Sequence, residues 1–502
     1  MSHTSCSSLS LTALNFGLEH HHYIVFINLD CPLSQSLGLR GETRVEVIHK
    51  NHSLVATLIS LPASLINCGE IGLSESSWTN LGLKKGDKVT IRLSDPLESF
   101  SFVRSKLCGH PFTQPALQSI ITDISHRKYS DSHLACFITS SIHLTLEEIV
   151  FLTKAMVYTG TQITWEHSPI VDLHCIGGVP GNRTTMIVIP IIAAFGLTIP
   201  KTSSRAITSP TGTADTMEVL APVTLTLDQM RHVVDKEKGC IIWGESIGLS
   251  PADGVLIAIE SILNIECFPL LIASVLSKKK AMGSTHVLID IPVGPNVKIR
   301  SSAEAKAMTS LFNKVGKAMG LSLCIIETDG SQPIGKGIGP ALEARDVLSV
   351  LRCEKEASSL LRNRSLLLAS IILEEWGGVP KGLGLKTAED LLTSGQALKK
   401  FEAICKAQGG TKELIYAPHK EVVVSPLMGT VAKINNSHVA QTAKLAGSPT
   451  FPGAGIDLHV SVGSKVEKGQ PLFTLYAESP GELKHALHYF LSHPEMIIIE
   501  KA

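Results

Sequence analysis

Residues 172–218 constrain this chain more than any other stretch. They open on DLHCIGGVPGNRTT, where Gly177, Gly178, Val179, Pro180 and Gly181 stand between a histidine and a run of hydroxyls, and they continue into the apolar segment 186–199. Glycines let backbone N–H groups approach an oxyanion closely, and a helix beginning near Asn182 aims its positive end at the same point. The second half adds Lys201, Thr202, Ser203, Ser204, Arg205, Thr208, Ser209, Thr211 and Thr213. Taken singly, a GG pair is an ordinary tight turn and a Ser/Thr cluster an ordinary solvated loop. Together they have the composition of a phosphate site, although neither G-x-x-x-x-G-K-[ST] nor G-x-G-x-x-G occurs there, which excludes the mononucleotide P-loop and the dinucleotide fingerprint.

A chain of 502 residues exceeds one ordinary core and implies about two to four domains. Its 45 basic and 45 acidic residues cancel, so no broad field for nucleic acid or an anionic membrane is expected, and phosphate binding falls to local cations. Eleven cysteines without a CxxC pair argue for a reduced, cytoplasmic chain rather than a disulfide framework. The first residues lack a basic segment followed by an unbroken apolar one, so no secretion signal is read there. The most apolar runs, 186–199 and 365–373, are too short to span a bilayer, and a soluble protein is expected. His20, His21 and His22 have no spaced carboxylate or thiol partner and read as a surface cluster, so no metal site is assigned.

Along the chain, alternating segments at 43–48 and 88–93, with the turn LKKGD at 83–87, predict a small β domain, to which a role in assembly is assigned. Helical spacing follows at 115–124, 132–141 and 145–159, the last opening with Thr145 as cap before Leu146, Glu147 and Glu148. Two more helices are predicted from Pro251 and from Phe268. The second stacks Ser274 and Lys278 on one face, setting a neutral hydrogen-bonding group beside a cation. Strands at 286–292 and 321–327 flank a helix at 303–319, and Lys298 sits in the loop after the first strand, where open α/β sheets bind ligands. GKGIG at 335–339 reads as a structural loop before a helix from Pro340. After Pro418 the chain turns to short strands, and VGSKV followed by KGQPLF resembles biotinyl-type hammerhead modules without their Met-Lys-Met attachment site.

Read together, the two halves of the opening stretch resemble the thymidine and pyrimidine-nucleoside phosphorylase family, whose loop has the form KHSxGGVGD followed by SGR and TGGTxDxxE. Here the counterparts are Leu173-His174-Cys175-Ile176-Gly177-Gly178-Val179-Pro180-Gly181-Asn182, then Ser203-Ser204-Arg205 and Thr211-Gly212-Thr213-Ala214-Asp215-Thr216-Met217-Glu218. VPGN, TSSRAITSP and the long N-terminal extension are closer to the branch that includes archaeal AMP phosphorylases, over roughly residues 100–480.

The resemblance implies a multidomain α/β protein with a helical lobe and an α/β lobe of nucleoside phosphorylase type, an N-terminal β-barrel-like domain and a C-terminal α+β domain with hammerhead-like strands. The corresponding boundaries are 1–100, 101–165 and 250–282 for the helical lobe, 166–249 and 283–417 for the phosphate lobe, and 418–502. It implies phosphate contacts at Cys175, Gly177, Gly178, Thr185, Ser203 and Thr213. It implies substrate contacts at Ser204, Arg205, Ala206, Ile207, Thr208, Ser209, Ser274, Lys278 and Lys298. His174, Glu266 and Lys278 are the implied catalytic groups, with Glu266 at the position of the branch's acidic proton donor. No cofactor is implied; inorganic phosphate is the co-substrate, and relatives pair through the helical lobe, so a homodimer or larger homo-oligomer is expected.

Three positions depart from the family pattern. Leu173 stands in place of a lysine that holds phosphate, with Arg183 as a possible substitute; Cys175 replaces a serine; and Ile259 replaces an arginine that pairs with thymine. The expectation is phosphorolysis of thymidine or a related pyrimidine nucleoside. Two alternatives are the same reaction on a 5′-monophosphate such as AMP, and a weakly active nucleotide-binding protein.

Overall fold

A computed structural model of the chain describes residues 8–18, 23–28, 30–32, 35, 43–206 and 209–501. They form two compact units, Met1–His143 and Leu144–Ala502. His20, His21 and His22 lie outside the described residues.

In the first unit, β1 (Leu9–Asn15), β2 (Ile24–Ile27), β3 (Arg44–His49), β4 (His52–Ser60), β5 (Glu70–Leu73) and β6 (Lys88–Leu93) close into a barrel in the order β1-β5-β2-β4-β3-β6. Strand alternation fills it: Val45, Val47, Ala56, Leu58, Val89 and Ile91 point inward and are buried. The LKKGD turn works as its sequence predicts. Asp87 accepts from the Lys84 N–H at 2.9 Å, and Gly86 takes φ +91°. Helices α1 (Glu75–Asn80), α2 (Phe100–Leu107), α3 (Gln114–Ser125) and α4 (Asp131–Ser140) complete the unit. Cys31 and Cys68 are joined by a disulfide, so the expectation of an all-thiol chain fails at this pair. The two lie 37 residues apart, and composition cannot see a pair that distant in sequence.

The second unit opens with α5 (Leu146–Tyr158), begun by the capping box its sequence predicts: Thr145 caps the Glu148 N–H and Glu148 accepts from the Thr145 N–H at 2.8 Å. There follow β7 (Val171–Cys175), α6 (Thr184–Phe195), β8 (Ile199–Ser203), α7 (Thr213–Glu218), α8 (Leu227–Glu237), β9 (Gly239–Trp243), α9 (Pro251–Leu263) and α10 (Phe268–Ala281). The chain returns through β10 (His286–Val293), α11 (Ser302–Ala318), β11 (Ser322–Asp329), β12 (Gly337–Ile338), α12 (Pro340–Leu351), α13 (Ser359–Trp376), α14 (Gly384–Thr393) and α15 (Gln396–Gln408).

Strands run parallel in the order β11-β10-β7, and the bridge between Ile170 and Thr198 continues them to the parallel pair β8-β9. Helix α6 is apolar all round because it is buried all round: from Thr184 to Ala193 every residue is inside, against β7 on one side and α13 and α15 on the other. It begins two residues later than the sequence suggests because Asn182 is engaged by Cys175 and Thr184. Helix α10 packs on α5 through Ile149, Val157, Ile272 and Leu276.

The chain ends in β13 (His419–Val424), β14 (Gly429–Ile434), α16 (Asn436–Leu445), β15 (Gly455–Leu458), β16 (Lys465–Val466), β17 (Pro471–Ala477), α17 (Pro480–Ser492) and β18 (Ile497–Glu500). They form the sheets β12-β15-β17-β13 and β16-β14-β18, so the GKGIG segment is an edge strand as well as a loop. Among the described residues no helix is long and apolar enough to cross a membrane.

Candidate functional site

Strand β7 directs Val171 and Leu173 into the apolar core and Asp172 and His174 the other way. Leu173, at the position of the family's phosphate lysine, is 1% exposed and packs in the apolar core, off the cavity wall. A lysine of the next strand does line the cavity. Lys201 of β8 donates from Nζ to the Leu173 carbonyl and lies 3.6 Å from Asp172, whose other oxygen is 2.8 Å from Lys279 Nζ. Burial and the neighbouring Lys279 lower the Lys201 pKa, while Asp172 opposes them. Arg183, the candidate substitute for the phosphate lysine, also lines the cavity, with its guanidinium ion-paired to the buried Glu343 and donating to the carbonyls of Asn182 and Thr211 at 2.7 and 2.6 Å.

His174 follows on the open side of the strand. Burial, then Lys279, Lys201, Lys278 and Lys298, hold its pKa well below the usual imidazole value. At neutral pH it is an uncharged ring with one N–H to give, not an imidazolium. The Cys175 thiol is pushed well above its usual pKa by burial and by Asp290, and accepts from Asn182 Nδ2 at 3.2 Å, so it stays protonated.

The turn that follows needs its glycines. Gly177 and Gly178 have φ of +99° and +92°, and a Cβ on Gly178 would sit 3.0 Å from the Val297 Cα. The diglycine turn therefore rests directly on the loop after β10, beside the Lys298 backbone. Thr185, in the first turn of α6, lines the same cavity.

Ser203, Ser204, Arg205, Ser209 and Thr213 also reach the cavity wall. Arg205 is clamped by Glu218, with Nη2 to Oε1 at 2.8 Å, and lies 4.9 Å over the Trp243 ring. Ala206 is not on the wall; its N–H is spent on Asp215 at 2.7 Å. Ile207 and Thr208 lie outside the described residues.

Opposite, α9 and α10 bring Ser274 and Lys278 to the cavity, Lys278 Nζ donating to Ser274 Oγ at 3.1 Å and to Asp253 at 2.6 Å. Glu266 lines the rim from an exposed position between the helices. Sequence reasoning missed Glu260, half-buried on the same wall, whose carboxyl is raised to about 7 by burial and by Asp253, with Lys298 opposing. Its apolar setting on α9, between Ile259 and Ile262, was the available signal. Ile259 itself is 3% exposed and off the wall.

A further wall comes from α16, through Asn436, Ser437, Gln441 and Lys444. The cavity so enclosed has a volume of about 700 Å³. For metals, the described residues gather one set of ligand types, His438, His493 and Glu495, off this wall, and His438 Nε2 is already 3.2 Å from Glu495.

The comparisons with known proteins agree with this architecture. Residues 167–398 match the glycosyl transferase family a/b domain, and residues 430–492 match the pyrimidine nucleoside phosphorylase C-terminal domain. The chain is 49% identical over 494 residues to "Putative thymidine phosphorylase 2" of Acidovorax sp. (strain JS42), covering 98% of this chain and 96% of that one. It is 48% identical over 496 residues to "Putative thymidine phosphorylase" of Maricaulis maris (strain MCS10), at the same coverage. In fold it is similar to anthranilate phosphoribosyltransferase from Thermus thermophilus, with a TM-score of 0.52 at 16% identity, covering 61% of this chain and 98% of that one. The Saccharomyces cerevisiae anthranilate phosphoribosyltransferase gives 0.51 at 15%, covering 62% of this chain and 98% of that one. With a glycine turn and a Ser-Lys helix facing one cavity, and whole-length relatives at this identity, the chain belongs to the thymidine and pyrimidine-nucleoside phosphorylase family and is a pentosyltransferase.

Proposed function

We propose that the protein catalyses phosphorolysis of a pyrimidine nucleoside, thymidine and phosphate giving thymine and 2-deoxy-α-D-ribose 1-phosphate, with no cofactor. The observation that carries this is one cavity whose opposite walls are a diglycine turn with hydroxyls and a helix bearing Ser274 and Lys278. Phosphate is held by the turn, Thr185, Ser203 and Thr213, with Lys201 behind it. Its oxygen bonds to C1′ as the glycosidic C–N bond breaks, and that electron pair leaves on the base. His174, uncharged, donates a hydrogen bond to the charge growing on the base; Lys278 and Ser274 hold the ring. The proton that neutralises the leaving base is supplied by a carboxyl of the α9–α10 wall, Glu266 by resemblance.

A second reading is the same reaction on a nucleoside 5′-monophosphate. It is favoured by Lys298, which has no carboxylate within ion-pair distance among the described residues, whereas Lys201, Arg205 and Lys278 each have one. The third, a weakly active binder, is suggested by Leu173 and Cys175; Lys201, on the cavity wall near His174, weighs against it.

Incubating the purified chain with phosphate and a panel of nucleosides and 5′-nucleotides, and following base release, tests these readings. Release from thymidine or uridine supports the first, release from 5′-nucleotides alone the second, and binding without release rejects both.

A further inference from the structure

The wall built by α16 has no role in the reaction as described so far. Ser437, Ala440, Gln441 and Lys444 are spaced i, i+3, i+4 and i+7, and this spacing puts one face of the helix on the cavity. At its first turn stands Asn436, 1% exposed. Its Nδ2 donates to the Gly330 carbonyl at 2.8 Å. A carbonyl only accepts, so this bond fixes which way the amide points. Its Oδ1 is then buried on the cavity wall with no hydrogen-bond partner in the protein.

Buried acceptors are rarely left unmet, because an unpaired one forfeits its hydration without return. The missing partner must be a donor. Phosphate, whose dianion keeps a single O–H, is placed at the diglycine turn, and the N–H edge of a pyrimidine falls to the Ser274 and Lys278 wall, which leaves the hydroxyls of the pentose. Position agrees: Asn436 bonds Gly330, Gly330 packs on Val297, and Val297 packs on Gly178, so Asn436 stands three contacts from the diglycine turn.

Resting on the function proposed above, we infer that the cavity face of α16 is a sugar-hydroxyl subsite, in which Asn436 Oδ1 accepts from a pentose hydroxyl and Ser437 and Gln441 flank it. The C-terminal domain is then part of substrate recognition. Its ligand is the 3′- or the 5′-hydroxyl of the nucleoside.

The test uses the full chain. Binding of thymidine, 3′-deoxythymidine and 5′-deoxythymidine is measured by calorimetry in phosphate-free buffer, for the native protein and for Asn436→Ala, Ser437→Ala and Gln441→Ala. Asn436→Ala is expected to weaken thymidine binding ~10-fold. It should leave unchanged the binding of whichever deoxy analogue lacks the partner hydroxyl, and that analogue identifies the hydroxyl. Equal weakening for all three ligands, or none, overturns the subsite. Should Asn436→Ala fail to fold, Ser437→Ala and Gln441→Ala, at more open positions, carry the same comparison with an expected ~3-fold loss confined to ligands bearing that hydroxyl. Base release with phosphate is followed in parallel. Its absence from every substrate rejects the proposed reaction, while hydroxyl-dependent binding still supports the subsite.

Discussion

The two walls of the cavity hold charge in opposite ways. On the glycine-turn side the cations are committed: Arg183 to Glu343, Lys201 and Lys279 to Asp172, Arg205 to Glu218. Asp172 and Glu343 are 0% and 1% exposed, so these pairs are dry, and burial brings Lys201 down to about 7 and Glu343 up to about 7. On the α9 side, Glu260 is raised to about 7 and Lys298 lies near it. One wall keeps its cations in close ion pairs, and the other holds Glu260 and Lys298 outside any ion pair among the described residues.

Removing the buried carboxylate is the harshest way to break the contrast. Asp172→Ala leaves Lys279, 2% exposed, and Lys201 without their counter-ion, and is expected to cost about 3–5 kcal/mol in denaturant unfolding. A loss below about 1 kcal/mol would mean the ion pairs do not hold the wall together.

His174→Ala comes next, with turnover lowered roughly 100-fold and phosphate affinity within about twofold. Because His174 is neutral across the working range, its removal should leave the pH profile unaltered in shape; a vanished limb would show that it titrates.

Glu260→Gln sharpens the other wall. A carboxyl raised to about 7 is protonated below that value and ionised above it, so any donor role fades as pH rises through 7. The variant should lose up to about tenfold in kcat/KM at pH 6 and little at pH 8.5. The same sign governs stability. A folded pKa above the unfolded one contributes stability that is present below the ordinary glutamate range and lost as pH rises through about 7, so Glu260→Gln should unfold with less pH dependence between about pH 4.5 and 7. An unchanged profile in both measurements would remove Glu260 from the titrating groups.

The smallest effect is expected at Ser448, whose hydroxyl donates to the Pro210 carbonyl at 2.7 Å. Ser448→Ala should cost about 1 kcal/mol and leave the base side untouched, read as stability and as KM for nucleoside at saturating phosphate.

How much of this was legible depended on how local each signal is. The glycine turn and its hydroxyls are contiguous, so composition alone marks them. The facing of Leu173 was not legible, because it depends on which side of the sheet carries α6, and a shift of one residue reverses it. Lys201 was visible as a residue, but not as the cation beside His174, since that follows from β8 lying next to β7. Asn436 is separated from Gly330 by 106 residues, and no pattern within α16 reveals that it borders a cavity. The closed barrel was readable as strands and turns, whereas the Cys31–Cys68 bond required the closure itself.

The short strand β12 belongs by sequence to the α/β lobe, yet it pairs with β15 in the C-terminal sheet, and the Arg345 guanidinium grips Asp457 there at 2.7 and 2.8 Å. A hinge between these two bodies would have to peel a sheet edge and pull a forked ion pair into water. The glycine turn and α16 thus travel as one jaw, and breathing of the cleft to admit substrate is left to α9 and α10.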